Sequence, residues 1–240
     1  LTPLPEYLSF SDAAAPGAER IHKASPNVYQ EQPVIKGEDP RPVMDKAAAV
    51  VRGSFSTTRQ PHLTIEPDVV QAYPEENGDG VCIQCKTQWL YGVKPPLAKA
   101  FGMDPERIRV IGNPAGGSFG YSMSVGNYAI AAACALILRR AVSLDLSYEE
   151  HQPMTGKRSP VYSTMGLACD ENGKFTAMEY MAGVDHGAYS EMAGALCSKV
   201  ARFYGVPYSI PSIRGLTMTA FTNNNFGIAY RAFGSPQAYM

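Results

Sequence analysis

Apolar and polar residues alternate in short blocks along the first half of the chain, and these blocks predict strands. Residues 49–60 alternate well enough for one strand, and residues 66–88 predict two more around an acidic, glycine-bearing turn at 75–80. Residues 94–103 predict a short helix with prolines in its first turn, and residues 104–113 a capped turn that leads into a strand.

The strongest helix signal lies at residues 124–140, which are apolar on nearly every side. A helix that is apolar all round is expected to be buried. Arg139 and Arg140 lie at its C-terminal end, where positive charges interact favourably with the helix dipole.

The second half of the chain repeats this theme. Residues 141–148 alternate cleanly, residues 162–187 predict a hairpin around the turn at 172–173, and residues 190–205 predict a helix before a strand at 213–222. The pattern therefore predicts an α+β fold in two related lobes, each a mixed or antiparallel sheet with helices packed on one face.

Domain boundaries follow from the same pattern. Residues 1–45 are rich in proline, alanine and charge and predict an extended connector, whereas residues 46–140 and 141–240 predict the first and second lobes. A helix that starts at Ser235 reaches Met240 after about one turn, which is too short to sustain itself. We therefore expect the second lobe to be truncated at its C-terminal end.

The composition of the chain limits the partners and the cellular compartment that we expect. The 240 residues carry a formal net charge of -1, so no excess of basic residues suggests nucleic acid or an anionic membrane as a partner. No apolar run reaches the roughly 18 residues of a membrane span. An odd number of cysteines in apolar segments favours a reduced, cytoplasmic chain over a disulfide framework; they are Cys82, Cys85, Cys134, Cys169 and Cys197.

The CIQC segment at 82–85 has the spacing of a metal or redox motif, but no second cysteine or histidine pair accompanies it. In a strand the two thiols would face opposite sides. We interpret them as half-buried strand residues.

Residues 112–122, GNPAGGSFGYS, lie between a predicted strand and a predicted helix. In that geometry backbone N–H groups can hold an anion without lysine or arginine, although the spacing matches neither a P-loop nor a dinucleotide fingerprint. A plain turn is the alternative. Phe119 at the loop tip favours a ligand pocket, where an apolar wall accompanies a polar floor.

Isolated polar residues predict structural roles. His62, His151 and His186 lie far apart in sequence, and each is expected to bond backbone or a carboxylate. Lys157 and Arg158 predict a solvated corner, with a contact to a cofactor phosphate as the alternative.

Five motifs, in this order, resemble those of the molybdenum hydroxylases, the family of xanthine dehydrogenases and aldehyde oxidoreductases. The resemblance runs from about residue 27 to the end and is strongest to bacterial aldehyde oxidoreductases. The motifs are RQPHLTIEPD at 59–68, GGSFGYS at 116–122, EEHQPMTGKRSP at 149–160, VDHGAYSE at 184–191 and YRAFGSPQ at 230–237.

The resemblance implies molybdenum held by a molybdopterin, in the cytosine dinucleotide form, with no direct side-chain ligand. It places Gln60 near an oxygen on the metal, and it places the backbones around Phe119 and Arg231 in one cleft that binds the cofactor. The cofactor-binding residues it implies are Gln60, Gly116, Gly117, Ser118, Phe119, Gly120, Arg231 and Ala232.

The resemblance also implies a substrate channel. Met123, Met192 and Phe233 would line it, and two thioethers favour an aldehyde or another uncharged substrate over a charged hydrogen-bonding one. Ser122 stands where the family loop often has lysine, so a contact of that lysine is absent here.

In the family, hydroxylation uses water and a glutamate base from a segment further downstream, so we expect no catalytic residue here and no turnover by this chain alone. The resemblance implies iron–sulfur clusters and FAD on other domains or subunits. The expected partners are the other half of the large subunit and an iron–sulfur domain or subunit. The alternative function is a non-catalytic nucleotide-binding or subunit-assembly module.

Overall fold

The computed structural model describes residues 3–76, 78 and 80–239, and the chain divides into two compact units. Unit 1 comprises Leu1–Gln60, Arg158–Gly227 and Ala232–Met240, and unit 2 comprises Pro61–Lys157 and Ile228–Arg231. Each unit is therefore assembled from segments that are distant in sequence.

Short strands and helices follow one another along the described residues. The strands are β1 Val28–Lys36, β2 Ala49–Ser56, β3 Val69–Pro74, β4 Val81–Cys85, β5 Ile108–Gly112, β6 Val142–Asp145, β7 Val161–Cys169, β8 Phe175–Asp185 and β9 Ser212–Ala220. The helices are α1 Phe10–Ala13, α2 Pro40–Met44, α3 Leu90–Phe101, α4 Gly126–Leu138, α5 Tyr148–Met154, α6 Ala193–Phe203 and α7 Ser235–Ala238.

Unit 1 is built on a five-stranded sheet in the order β1-β9-β8-β7-β2, antiparallel except for the parallel pair β8 and β9. Tyr180 on β8 reaches α6, where its hydroxyl donates to the carbonyl of Ala201 at 2.8 Å. Gly183, of opposite parity, lies against Phe10 of α1, so helices contact both faces of this sheet.

Unit 2 is built on a four-stranded sheet in the order β5-β4-β3-β6, antiparallel except for β4 and β5. Helix α4 packs on it through one tyrosine and three alanines, spaced mainly three and four apart. The residues that α4 buries are Tyr128, Ala131, Ala132 and Ala135.

The predicted α+β class with mixed sheets is confirmed, but several elements differ from prediction. Residues 28–36 of the predicted connector form β1, which pairs with β9. Strand β2, placed in the predicted first lobe, pairs with β7. The units thus do not follow the predicted boundaries at 45 and 140, because hydrogen bonds between strands join segments that no local pattern connects.

Two helices also differ from the sequence patterns. Helix α3 begins at Leu90, so Pro95 and Pro96 lie in its interior rather than in its first turn. Helix α4 is not buried all round, because its outer side leaves Ile137 79% exposed.

The thiols of β4 lie inside unit 2. Cys82 and Cys85 are both fully buried, deeper than predicted, and burial raises the pKa of Cys85 to about 11. Among the described residues, the helices are too short or too polar for a transmembrane span. The predicted turn at 75–80 includes residues 77 and 79, which lie outside the described residues, as does Met240.

Candidate functional site

The glycine loop leaves β5 at Gly112 and enters a 3-10 turn, Tyr121–Met123, before α4 begins at Gly126. A 3-10 turn thus occupies the end of the loop, and α4 begins at Gly126 rather than at the predicted residue 124. The tight turn forms because the amide of Tyr121 donates to the carbonyl of Ser118 at 3.3 Å and that of Met123 to Gly120 at 3.1 Å. An anion at this loop would therefore contact the amides of the loop itself rather than the N-terminus of α4.

Three consecutive amides in this loop are unpaired. In the part of the chain that the structure describes, the N–H groups of Gly117, Ser118 and Phe119 donate no hydrogen bond. Gly117 and Phe119 have φ angles of 127° and 53°, which turn the backbone away from regular structure. Successive amides of this kind form a concave donor set that suits an anion.

The side chain of Ser118 organises the loop from within. It is 6% exposed, donates to Gln88 Oε1 at 2.7 Å and lies 2.5 Å from the Ser122 hydroxyl oxygen. Its oxygen also accepts from the amides of Gly120 and Ser122, each at 3.2 Å. Ser122 therefore stabilises the loop from inside through its contacts with Ser118.

Glu66 and Lys86 anchor the start of the loop. The amide of Gly116 donates to Glu66 Oε2. Lys86 Nζ lies 3.4 Å from the same oxygen and donates to the carbonyls of Glu66 at 2.9 Å and Pro67 at 2.8 Å. The Lys86 side chain is 2% exposed, and burial lowers its pKa while the Glu66 charge opposes that shift.

The segment Ile228–Arg231 closes the other side of the loop. The amide of Arg231 donates to the carbonyl of Phe119 at 2.8 Å, so the two turns that were expected to lie together are joined directly. His62 Nε2 lies 2.8 Å from the carbonyl oxygen of Ala229, and its ring stacks on Tyr230 at 4.3 Å.

Gly120 is required for this approach. It has a φ of 121°, and a Cβ atom at this position would lie 2.3 Å from the carbonyl oxygen of Ala229. Phe119 itself is 44% exposed, so its ring is only partly covered within the described residues.

The three histidines have structural partners, as predicted. His151 Nδ1 accepts from the amide of Asp68 at 3.1 Å, and His186 lies 2.9 Å from the Ser159 hydroxyl and 2.6 Å from the carbonyl of Glu191. Burial lowers the pKa of His151 and of His186 to about 4, so both rings are neutral. Among the described residues no cluster of three or more histidine, cysteine, aspartate or glutamate residues could hold a metal ion.

The prediction of a solvated corner at Lys157 and Arg158 is wrong, since the two residues are only 8% and 6% exposed. Lys157 donates to the carbonyl of Thr155. Arg158 Nε donates to Gln60 Oε1 at 2.9 Å. The partner of Arg158 lies far along the chain, where a local pattern does not reveal it.

The candidate residues are divided between the two units. Gly116 to Gly120, Met123 and Arg231 belong to unit 2, whereas Gln60, Met192, Ala232 and Phe233 belong to unit 1. Met192 and Ala232 have left-handed backbones, with φ of 56° and 60°. Phe233 is half-buried and packs against the core of unit 1.

The sequence patterns do not identify the residues that stabilise the loop. These patterns do not single out Lys86 or Gln88, and they include Glu66 only within a motif. One signal for Lys86 is available, because a lysine that directly follows a strand with both faces buried needs partners inside the fold.

Comparison with known proteins agrees with this geometry. A family model described as "Molybdopterin cofactor-binding domain" matches residues 21–240. The aldehyde oxidoreductase of Megalodesulfovibrio gigas is 42% identical over 99% of this chain and 26% of its own length. A probable xanthine dehydrogenase subunit of Bacillus subtilis is 29% identical over 94% of this chain and 30% of its own length.

A solved structure is similar throughout. The aldehyde oxidoreductase from Desulfovibrio desulfuricans superposes with a TM-score of 0.94 at 40% identity, covering 99% of this chain and 26% of that one. The chain thus spans 26–30% of the length of these relatives.

Proposed function

This chain belongs to the molybdopterin cofactor-binding domain family, and from that premise we propose that it forms part of the cofactor-binding region of a molybdenum hydroxylase. The proposed enzyme oxidises aldehydes or N-heterocycles and takes its oxygen from water. Relatives named as an aldehyde oxidoreductase and as part of a xanthine dehydrogenase support this substrate range.

The observation that carries the proposal is the row of unpaired amides at Gly117, Ser118 and Phe119. Unpaired N–H groups are costly when they are removed from water without an acceptor. A molybdenum–oxygen group and a pterin diphosphate are both acceptors that such donors can hold without a lysine in the loop. The residues present therefore fit the cofactor.

We propose a specific role in cofactor binding for each of these residues. The amides at 117–119 donate to cofactor oxygens, Gly116 and Gly120 let the backbone come close, and Arg231 fixes the carbonyl of Phe119. Ala232, in the turn that follows Arg231, is proposed as a further backbone contact. Gln60 is proposed to donate from its side-chain amide to an oxygen on the metal.

When bound, the molybdenum cofactor supplies the two-electron redox chemistry of hydroxylation. Met123, Met192 and Phe233 are proposed to line the substrate path and to exclude water from it, because thioether and aromatic side chains favour an uncharged substrate. No described residue is assigned the role of general base, which we propose comes from a glutamate in the rest of the protein.

The rest of the assembly is also a proposal. We propose that the pterin carries a cytosine dinucleotide, and that iron–sulfur clusters and FAD lie on other domains or subunits. The partners are the remainder of the large subunit and an iron–sulfur domain, in the cytoplasm, without nucleic acid or membrane.

Metal analysis tests the proposal. The full-length protein that contains this chain, made in a host that synthesises the pterin, is expected to contain stoichiometric molybdenum and to oxidise aldehydes. The 240-residue chain alone is expected to show no turnover. A full-length protein without molybdenum would favour the nucleotide-binding or assembly module, and turnover by the 240 residues alone would contradict the assignment of the base.

A further inference from the structure

Gln60 and Arg158 face each other in an isolated antiparallel bridge within unit 1. The amide of Arg158 donates to the carbonyl of Gln60 at 2.9 Å, and the amide of Gln60 donates back at 3.4 Å. The bridge fixes both backbones, so each side chain leaves from a defined point.

The side chains then meet in a way that orients the Gln60 amide. Arg158 Nε donates to Gln60 Oε1 at 2.9 Å. A guanidinium group has only donors, so the atom it contacts must be the amide oxygen. The opposite end of the amide, Nε2, keeps both N–H donors and donates no hydrogen bond within the described residues.

Both sides of the bridge are anchored. Arg59 pairs with the buried carboxylate of Asp185 at 2.7 Å and donates to the carbonyl of Asn225 at 2.7 Å. On the other strand, the Ser159 hydroxyl lies 2.9 Å from His186 Nδ1. These contacts fix the backbone next to Gln60 and next to Arg158, from which the two side chains extend toward each other.

We propose that Arg158 is a positioning residue that holds the Gln60 amide with its N–H donors presented to the molybdenum cofactor. The inference rests on the proposed function, in which Gln60 donates to an oxygen on the metal. Without the guanidinium the Gln60 amide would lose the contact that fixes Oε1, and its N–H donors would no longer be held in position. Lysine cannot replace arginine here, because an ammonium lacks the planar Nε–H geometry.

A double-mutant cycle in the full-length, cofactor-loaded enzyme tests the inference. The variants are Arg158→Lys, Gln60→Ala and the two combined, and the control is Arg52→Lys, whose side chain is 60% exposed and pairs with Glu179. Each is measured for molybdenum content, thermal stability, kcat, KM and the Mo(V) EPR spectrum after partial reduction.

Arg158→Lys is expected to retain molybdenum and to lower kcat by about 10-fold to 100-fold, the range for one hydrogen bond to a charged group. Its EPR g-values are expected to shift toward those of Gln60→Ala. The combined variant should match Gln60→Ala alone, because Arg158 acts through Gln60. Arg52→Lys should match wild type.

Losses of kcat that multiply in the combined variant, or an unchanged EPR spectrum in Arg158→Lys, would overturn the inference. If Arg158→Lys does not fold, the inference is tested on the structure of the wild-type enzyme with its cofactor bound. A Gln60 side chain that is turned away from Arg158 in that structure would contradict the inference. A wild-type enzyme without molybdenum would refute the proposed function instead, so the two failures are distinguishable.

Discussion

Phe119 and Ala232 adopt left-handed backbones, with φ of 53° and 60°, that non-glycine residues rarely take. Such strain costs on the order of 1–3 kcal/mol and persists where the surrounding structure enforces it. At Phe119 the enforcing contact is the hydrogen bond from Arg231, and at Ala232 the carbonyl accepts from Ser235 at 2.9 Å. Two of the five non-glycine residues with positive φ among the described residues therefore lie in the backbone that we propose binds the cofactor.

Gly120→Ala is expected to separate the loop from the segment Ile228–Arg231. The new Cβ would lie 2.3 Å from the carbonyl oxygen of Ala229, which is backbone and cannot move aside cheaply. We expect a loss of about 3 kcal/mol in the free energy of unfolding and a large fall in the molybdenum content of the full-length protein.

The matched control is Gly102→Ala, since Gly102 has a φ of +60° but no atom within 4 Å of a new Cβ. It should cost about 1 kcal/mol, the cost of a left-handed alanine, and leave molybdenum content unchanged. Chemical denaturation and elemental analysis of both variants measure the difference. Equal losses would show that the contact with Ala229 does not matter.

At the scale of elements, local patterns found most strands and the three longest described helices but not every boundary. Alternation identified the strand around Val142, where burial repeats every second residue, and also the strand around Arg52, although nearly every residue of that strand is exposed. It could not reveal that Arg158 is buried, because its partner Gln60 lies 98 residues away. Charged residues look solvated in sequence whenever their partners are distant.

Helix α4 provides a prediction about packing. Ala132 is fully buried against the sheet of unit 2, and Ala132→Leu should cost about 2 kcal/mol through overpacking. Ile137 on the same helix is 79% exposed, and Ile137→Lys should change the free energy of unfolding by less than about 0.5 kcal/mol. Urea denaturation measures both; equal costs would contradict the orientation of α4.

At the scale of the whole molecule, the sequence predicted the family and the fold class better than the division of the chain into units. The proximity of Phe119 and Arg231 was expected from the resemblance of their two motifs to the family, and the hydrogen bond between them agrees with it. Unit 1 was not, since β1 and β9 pair across about 180 residues and no periodicity encodes that pairing. The support of Gly116 by Glu66, 50 residues away, was missed for the same reason.

Stability is expected to fall as the pH is lowered in both units. Burial lowers the pKa of His151 in unit 2 and of His186 in unit 1 from 6.5 to about 4. Between these values the unfolded chain binds protons that the folded chain does not. Neither histidine therefore affects the pH dependence well above pH 6.5, and each destabilises the fold progressively as the pH falls from 6.5 toward 4.

Denaturation of the 240-residue chain at pH 7, 5.5 and 4.5 measures this effect. His151→Gln keeps an acceptor for the Asp68 amide but does not titrate, so its stability should depend less steeply on pH. A variant whose stability falls as steeply as that of wild type would show that His151 is not the titrating group.

The central claim is that the amides at 117–119 hold the molybdenum cofactor, and a structure of the cofactor-loaded, full-length protein tests it most directly. We predict that at least two of these nitrogens lie about 3 Å from cofactor oxygens, with the bond between Phe119 and Arg231 intact. A cofactor bound elsewhere, with these three amides facing solvent, would contradict the account.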